Sequence, residues 1–570
     1  MIRNASAREN GIAALVRRFD WRLALMIALA VNVGISLFVP IYIDEFVYKL
    51  SSARTFLERG AQISLYPQCP DTFVTRVPLP LLPGGALVAL VWQTLTLFEM
   101  RLVGVLMFGA WLVLLHLLIR RLVPPAHSRL GLTFGAALLL SLGLTGFAMT
   151  LSRPEIFLIL GLLAMVLLSL SAPDIIDAAS KDRTRWAWVA GTAAFYLLIV
   201  STLAFIHPNI VYFTPFVLVS IGLAFQRTSR VVMLAVAAAA AWAIVVGVMH
   251  STRVIATCND PAFRGMMGMY LNDVGALRTA PFETIKAMIW SLTTGLRQVV
   301  HYAAHGKEYQ SSWLPATPVL ASFPFAVALR WGLELIWHVL VLAGIVGLFL
   351  RLRDWRSSAT RTALLLAAGL LLGFCGLFAH AKQLNFTIVE LALPMLLVFA
   401  LLTLAPWLPR LTEGTWARPV AATLGALMLT TVALNLVFIA PQLVGPAFSA
   451  TFFNDKQHHS YGAWNQQARD DATRRLARQC NIIPGRAPNL VIDDVSYSIF
   501  RQDRRPMFAM YINPGHMGVS LGGRLKTFLT ERQSSGFVGK CNYLAQELHG
   551  IAIRDGDACC VSAGALQAIR

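Results

Sequence analysis

The chain has 570 residues, 56% of them apolar and only 14% charged, against about 45–50% and about 25% in ordinary soluble proteins. A soluble multidomain protein is therefore excluded, and the sequence is that of an α-helical polytopic membrane protein. The 48 Lys and Arg against 29 Asp and Glu give a net charge of +19, but the cations fall between apolar runs, where the positive-inside bias puts them, and not in a basic arm. With no zinc-type Cys/His spacing and no aromatic–basic motif either, no nucleic-acid partner is expected.

A polar opening with Arg17, Arg18 and Arg22 leads into an apolar run from Leu23 to Ile43 with no small-residue cleavage site behind it, which predicts an uncleaved first span. Crossing a hydrocarbon core about 30 Å thick takes about 20 residues. Eleven uncharged stretches meet that length: 23–42, 102–119, 130–150, 156–171, 187–206, 209–225, 231–249, 332–350, 362–380, 386–404 and 419–439. Arg120/Arg121/Arg129, Lys181/Arg183/Arg185, Arg227/Arg230, Arg351/Arg353/Arg356/Arg361 and Arg410/Arg418 then fall on one side with the N-terminus, and the charge rule makes that side cytoplasmic. Residues 78–98 are also apolar, but counting them as a span would break this alternation, so they are assigned to the juxtamembrane region.

The division that follows is a membrane domain over 1–440 and a soluble extracytoplasmic domain over 441–570. The membrane domain carries two large external loops, 44–101 and 250–325. The first loop holds an amphipathic segment, Phe46, Leu50, Ala53 and Leu57, expected to lie flat on the bilayer. The tail alternates patterns: a helix around 462–478, strands near 489–493 and 507–512, a helix around 523–533 and strands near 536–541 and 551–553, hence a small α/β domain. Of seven cysteines only Cys375 falls in a span. Cys69, Cys258, Cys480, Cys541, Cys559 and Cys560 face the oxidising side, where disulfides form, with at least one bridge expected among the last four.

Asp44 and Glu45 are adjacent carboxylates where the first span ends. Helix capping is one reading of them, catalysis the other. Arg54, Arg76, Arg101, Arg153 and Lys382 lie on the outer side, against the charge trend, and cations at the rim of an apolar cavity call for an anion such as a lipid phosphate, unless each pairs with a neighbouring acid. Glu155 and His207, at outer helix ends, are candidates for binding sugar hydroxyls. No metal-ligand set is evident, and whether a divalent metal is needed is left open.

The order of these residues resembles a family. A first span followed by Asp44-Glu45, a surface helix, the segment Arg76-Val77-Pro78-Leu79-Pro80, then Arg101-Leu102 opening a span that closes on Arg120-Arg121, is similar to the membrane glycosyltransferases of the GT-C class, in particular protein O-mannosyltransferases and lipid A aminoarabinose transferases. Ser152-Arg153, His207-Pro208 and Lys382 ahead of Pro394 fit the same pattern. The tail is similar to external additions on bacterial cell-envelope members, arabinofuranosyltransferases included.

The resemblance implies a GT-C fold in the bacterial inner membrane and an inverting transfer of a sugar from a polyprenyl-phosphate donor to a hydroxyl of an envelope glycan, lipid or protein, on the outer face. It implies Asp44, with Glu45 beside it, as the catalytic carboxylate, and Arg54, Arg76, Arg101, Arg153 and Lys382 as phosphate ligands. The residues fit that chemistry: a carboxylate takes the acceptor proton, and cations stabilise the charge that grows on the leaving phosphate. The energy is stored in the donor, and no nucleotide-binding loop occurs. A flippase for a lipid-linked sugar is the rival reading, although no repeat of the transporter kind is found. A non-catalytic assembly protein is a third.

Overall fold

The computed structural model describes residues 21–36, 97–123, 129–141, 150, 154–178, 182–258, 271–305, 324–382, 386–408, 466–492, 496–500, 507–508, 533–541, 544, 548–556 and 558–568. Its membrane part is built from α1 (Trp21–Ser36), α2 (Leu97–Leu122), α3 (Arg129–Ser141), α4 (Pro154–Ala178), α5 (Asp182–Ile206), a 3-10 turn (Pro208–Phe213) running into α6 (Thr214–Ala224), α7 (Arg230–Thr257), α8 (Pro281–His305), α9 (Pro324–Arg351), α10 (Ser358–His380) and α11 (Phe386–Leu404). Among the described residues six helices are long and apolar enough to cross a membrane, and shorter apolar helices cover Leu23–Gly34, Arg129–Ser141, Pro208–Ala224 and Leu391–Leu404. The expected stretches from 23–42 to 386–404 each coincide with one of these, and 419–439 lies outside the described residues. Such segments are helical because hydrocarbon offers no partner for backbone N–H and C=O groups, and a helix satisfies them within itself.

Three of the arginines between spans, Arg121, Arg185 and Arg227, meet at one end of the bundle. Arg121 donates to Leu170 O at 2.9 Å and pairs with Asp174, Arg227 pairs with Asp177, and Arg185 donates to Arg227 O at 3.1 Å. These contacts join the far ends of α2 and α4 to the turn before α7, and that turn to the first turn of α5. We call this the basic end. It also sets the helix register, since Arg101 lies twenty residues before Arg121 and Glu155 nineteen before Asp174. At about 1.5 Å per residue, two helices packed in parallel bring Arg101 and Glu155 to one level about 30 Å away, at the opposite end.

Close packing within the bundle rests on glycine at several crossings, those of Gly247 and Gly373 among them. A Cβ on Gly247 of α7 would stand 2.6 Å from the Ala204 carbonyl of α5, and one on Gly373 of α10 would stand 2.5 Å from the ring of Phe213. Glycine lets the backbones approach where oily side chains provide no drive to associate. One buried polar knot joins three helices: Ser169 (α4), Tyr196 (α5) and Ser220 (α6), with oxygen–oxygen distances of 3.1, 2.8 and 2.7 Å.

Within 250–325, which the sequence marks only as an external loop, the structure places α8, a 25-residue amphipathic helix. Its apolar residues alternate with Thr, Gln and Arg, and the segment falls short of a span's hydrophobicity.

In the tail, α12 (Gln466–Gln479), β1 (Val491–Ile492), α13 (Tyr497–Phe500), β2 (Met507–Phe508), β3 (Gly536–Lys540), β4 (Ile553–Asp555), β5 (Ala558–Ser562) and α14 (Ala563–Gln567) form an α/β unit. The five-stranded sheet has the order β2-β1-β3-β5-β4. β1 pairs in parallel with β2 and β3, whereas β5 pairs antiparallel with β3 and β4. The sequence reading lacked β5, because Ala558-Cys559-Cys560-Val561 carries no alternation; both faces of that strand are covered, and Cys559, Cys560 and Val561 are fully buried. The helix expected at 523–533 lies almost wholly outside the described residues. Neighbouring residues on a strand point to opposite faces, and the two adjacent cysteines use this. Cys560 bonds Cys480 at the end of α12, and Cys559 bonds Cys541 just beyond β3. The expected bridge among these four cysteines is thus present twice. Cys258 is also disulfide-bonded, and Cys375 is free.

Candidate active site at the end opposite the arginines

Pro154 opens α4, where its missing N–H costs nothing and its fixed φ suits the first turn. Glu155 follows in that first turn, favourably placed at the positive end of the helix dipole, and is 2% exposed. On the antiparallel neighbour α5 the helix stops at Ile206 because the next residue precedes a proline and is driven out of the helical region. His207 is accordingly extended (φ −146°, ψ 123°) and caps the 3-10 turn, its Nδ1 accepting from the Asn209 N–H at 3.2 Å. A neutral imidazole whose Nδ1 accepts carries its proton on Nε2. That nitrogen faces Glu155 Oε1 at 3.4 Å. The imidazole's two nitrogens are therefore given separate tasks, one holding the backbone and the other turned to a buried carboxylate.

Arg101, 2% exposed near the start of α2, stands at the same level. Across the bundle, α10 runs the other way and ends there too. The Tyr212 and His380 rings are 5.6 Å apart between centroids, which brings the turn after His207 to the end of α10. Asn272 seals that end: its N–H donates to His380 O at 2.8 Å, and its side-chain amide donates to Ala379 O at 2.8 Å and to Ser291 Oγ at 3.1 Å. Ala381 then bridges to Leu271, and Lys382 comes next in the chain, exposed.

Four of the residues singled out in the sequence, Arg101, Glu155, His207 and Lys382, thus lie at one end of the bundle, on four different elements. Asp44, Glu45, Arg54, Arg76 and Arg153 lie outside the described residues. The sequence reading passed over Asn272, Tyr212 and His380. His380 could have been noticed two residues before Lys382, but nothing local marks Asn272, whose partners are far away in the chain. Glu334, 5% exposed, and His301, 3.1 Å apart, make a second carboxylate–imidazole pair that sequence spacing could not bring together. Among the described residues no three His, Cys, Asp or Glu side chains are grouped to hold a metal ion. Chemically, this end offers two cations and a carboxylate–imidazole pair, groups suited to an anion and to hydroxyls.

No family model matches the chain, and no curated protein matches it. Solved structures do. ArnT from Cupriavidus metallidurans bound to undecaprenyl phosphate is similar with a TM-score of 0.49 at 12% identity, over 95% of this chain and 98% of that one. The archaeal oligosaccharyltransferase AglB from Archaeoglobus fulgidus, in complex with an inhibitory peptide and a dolichol-phosphate, gives 0.44 at 12% identity over 91% and 69%. The apo form of the Archaeoglobus fulgidus oligosaccharyltransferase gives 0.44 at 12% over 92% and 70%. The likeness concerns the course of the chain and assigns no residue a role. These neighbours are membrane glycosyltransferases of the GT-C class, the class that the motifs of the first spans resemble.

Proposed function

We propose that this protein is an inverting glycosyltransferase of the bacterial inner membrane that moves a sugar from a polyprenyl phosphate to a hydroxyl of an envelope glycan, lipid or protein. The observation that carries this reading is the separation of charge along the bundle. Arg121, Arg185 and Arg227 meet at the basic end, which the positive-inside rule turns to the cytoplasm. Arg101, the Glu155–His207 pair and Lys382 stand at the other end, where they bring positive charge and hydrogen-bonding groups to one level, the chemistry that suits a phosphate and the hydroxyls of a sugar. Residues 1–440 form the catalytic membrane domain, and residues 441–570, stapled by two disulfides, are the outer domain, in keeping with an oxidising compartment.

In the proposed step the acceptor hydroxyl attacks the anomeric carbon from the face opposite the phosphate. Its proton passes to Asp44, the new C–O bond forms as the bond to phosphate breaks, and the electron pair leaves on the phosphate, so the centre inverts. Arg54, Arg76, Arg101, Arg153 and Lys382 take up the charge that grows there. Glu155 and His207 hold hydroxyls of the sugar or acceptor.

The test is a titration of the full chain in detergent with undecaprenyl phosphate. Saturable binding is expected, weakened about tenfold or more in Lys382→Ala, as for loss of a charge-assisted contact worth about 1.5–3 kcal/mol. Binding that is absent, or the same in Lys382→Ala, would overturn the phosphate site.

A further inference from the structure

Helix α10 ends without a cap of its own. The last four carbonyls of a helix have no partner inside it, and the common remedy is a glycine just past the end, in the left-handed conformation, that folds the chain back over them. Here the residue past the end is Ala381, which is extended (φ −76°, ψ 116°) and whose N–H closes on Leu377 O at 3.1 Å. The carbonyls of Ala379 and His380 are satisfied from outside the helix. Asn272, 107 positions before Ala379, donates its backbone N–H to His380 O and its side-chain amide to Ala379 O, each at 2.8 Å.

Asn272 is 7% exposed, and its amide also donates to Ser291 Oγ at 3.1 Å, so turning the side chain away breaks both bonds. One residue earlier, Leu271 pairs with Ala381 as an antiparallel bridge. Two consecutive residues, 271 and 272, therefore grip three others, 379 to 381. That grip decides where the next side chain goes. In extended backbone neighbouring side chains point to opposite sides. Ala381 is turned inwards, at 3% exposure, and Lys382 is exposed. A lysine ammonium rides on a flexible four-carbon stem, and any freedom in the backbone beneath it must be lost again when it meets an anion.

We propose that Asn272 is a positioning residue for Lys382. By holding the exit of α10 it fixes the backbone from which the ammonium reaches a lipid phosphate, without itself touching the lipid. The inference rests on the proposed phosphate role of Lys382.

The test is a double-mutant cycle on undecaprenyl phosphate binding, with the full chain in detergent. Asn272→Ala keeps the backbone N–H and removes the amide. It should weaken binding about three- to tenfold while Lys382 is present, the scale of a lost hydrogen-bonded group. With Lys382 already replaced by Ala it should weaken binding less than about twofold, because residues that act through one another are not additive. Equal weakening in both backgrounds would mean that Asn272 supports the fold alone, and would overturn the proposal, as would unchanged binding in Asn272→Ala. Normal binding by Lys382→Ala would instead remove the phosphate reading on which the proposal stands, so the two failures are told apart.

A spin label on Lys382→Cys, in a chain carrying Cys375→Ser, needs no change at 272 and guards against a variant that does not fold. Restricted motion is expected of a gripped backbone, and a label moving as on an unheld loop would overturn the grip. In Asn272→Asp, which keeps the size and drops both amide donations, the label should be released; a label that stays restricted there would overturn it as well.

Discussion

His207 illustrates how much chemistry one residue can take from its neighbours. Proline after it ends a span, the backbone N–H of Asn209 fixes its tautomer, and Glu155 receives the nitrogen that is left. Asp44 is the residue on which the proposed mechanism is most exposed to test. Asn keeps its size and its capping ability, so capping alone predicts near-normal activity for Asp44→Asn. Catalysis predicts a fall in transfer of about 10²–10⁴-fold or more with lipid binding retained, because an amide cannot accept the acceptor's proton. Glu45→Gln is the control, since loss of the neighbouring carboxylate leaves the proposed proton acceptor Asp44 in place. Should both variants stay active, the mechanism has no base and the flippase reading moves ahead. Assay of envelope glycan transfer alongside lipid binding separates these outcomes.

At the level of elements, helix pairs here are held by shape as much as by bonds. Gly247→Leu should lower the melting temperature of the detergent-solubilised protein sharply, because the new Cβ would collide with the backbone carbonyl of Ala204 and neither helix can yield without moving the other. Gly191→Leu is the comparison: nothing lies within 4 Å of its would-be Cβ, and a small change of either sign is expected. Thermal unfolding of the two variants side by side checks both.

The tail's bridges differ in what they close. Cys480–Cys560 spans 80 residues of sequence and Cys541–Cys559 only 18. On the chain-entropy account the longer loop stabilises by about 1 kcal/mol more, within the usual range of about 2–4 kcal/mol per bridge. Replacing Cys480 and Cys560 by Ser should therefore expose the tail to protease at lower denaturant than replacing Cys541 and Cys559. The reverse order would mean that native packing, and not the unfolded chain, sets the difference.

The whole molecule is polarised, with arginines paired to Asp174, Asp177 and backbone carbonyls at one end and the candidate site at the other. That polarity predicts orientation. Single cysteines introduced in the turns at 226–229 and 352–357 should react with a membrane-impermeant maleimide only after cells are opened, whereas one at Lys382 should react in intact cells. Labelling of 352–357 from outside would reverse the assignment.

Composition alone settled the class of this protein, because a chain so poor in charge and so rich in long apolar runs has only the bilayer as its solvent. Among the described residues the six helices long and apolar enough to span, and four shorter apolar ones, fall within stretches the sequence marks for the same reason, since burial in lipid demands apolar helix. Local chemistry also marked Arg101, Glu155, His207 and Lys382. What the sequence could not hold was anything decided across distance. Helix α8 was hidden because its hydrophobicity is split between bundle and exterior, and β5 because both its faces are covered. The Glu155–His207 approach joins residues 52 positions apart, and Asn272 meets Ala379 at a separation of 107. No window of sequence records such meetings, because they follow from the antiparallel register of packed helices, which is fixed by glycine crossings and by arginines anchored at the basic end. Sequence chose the solvent and the helices, and packing chose which side chains meet.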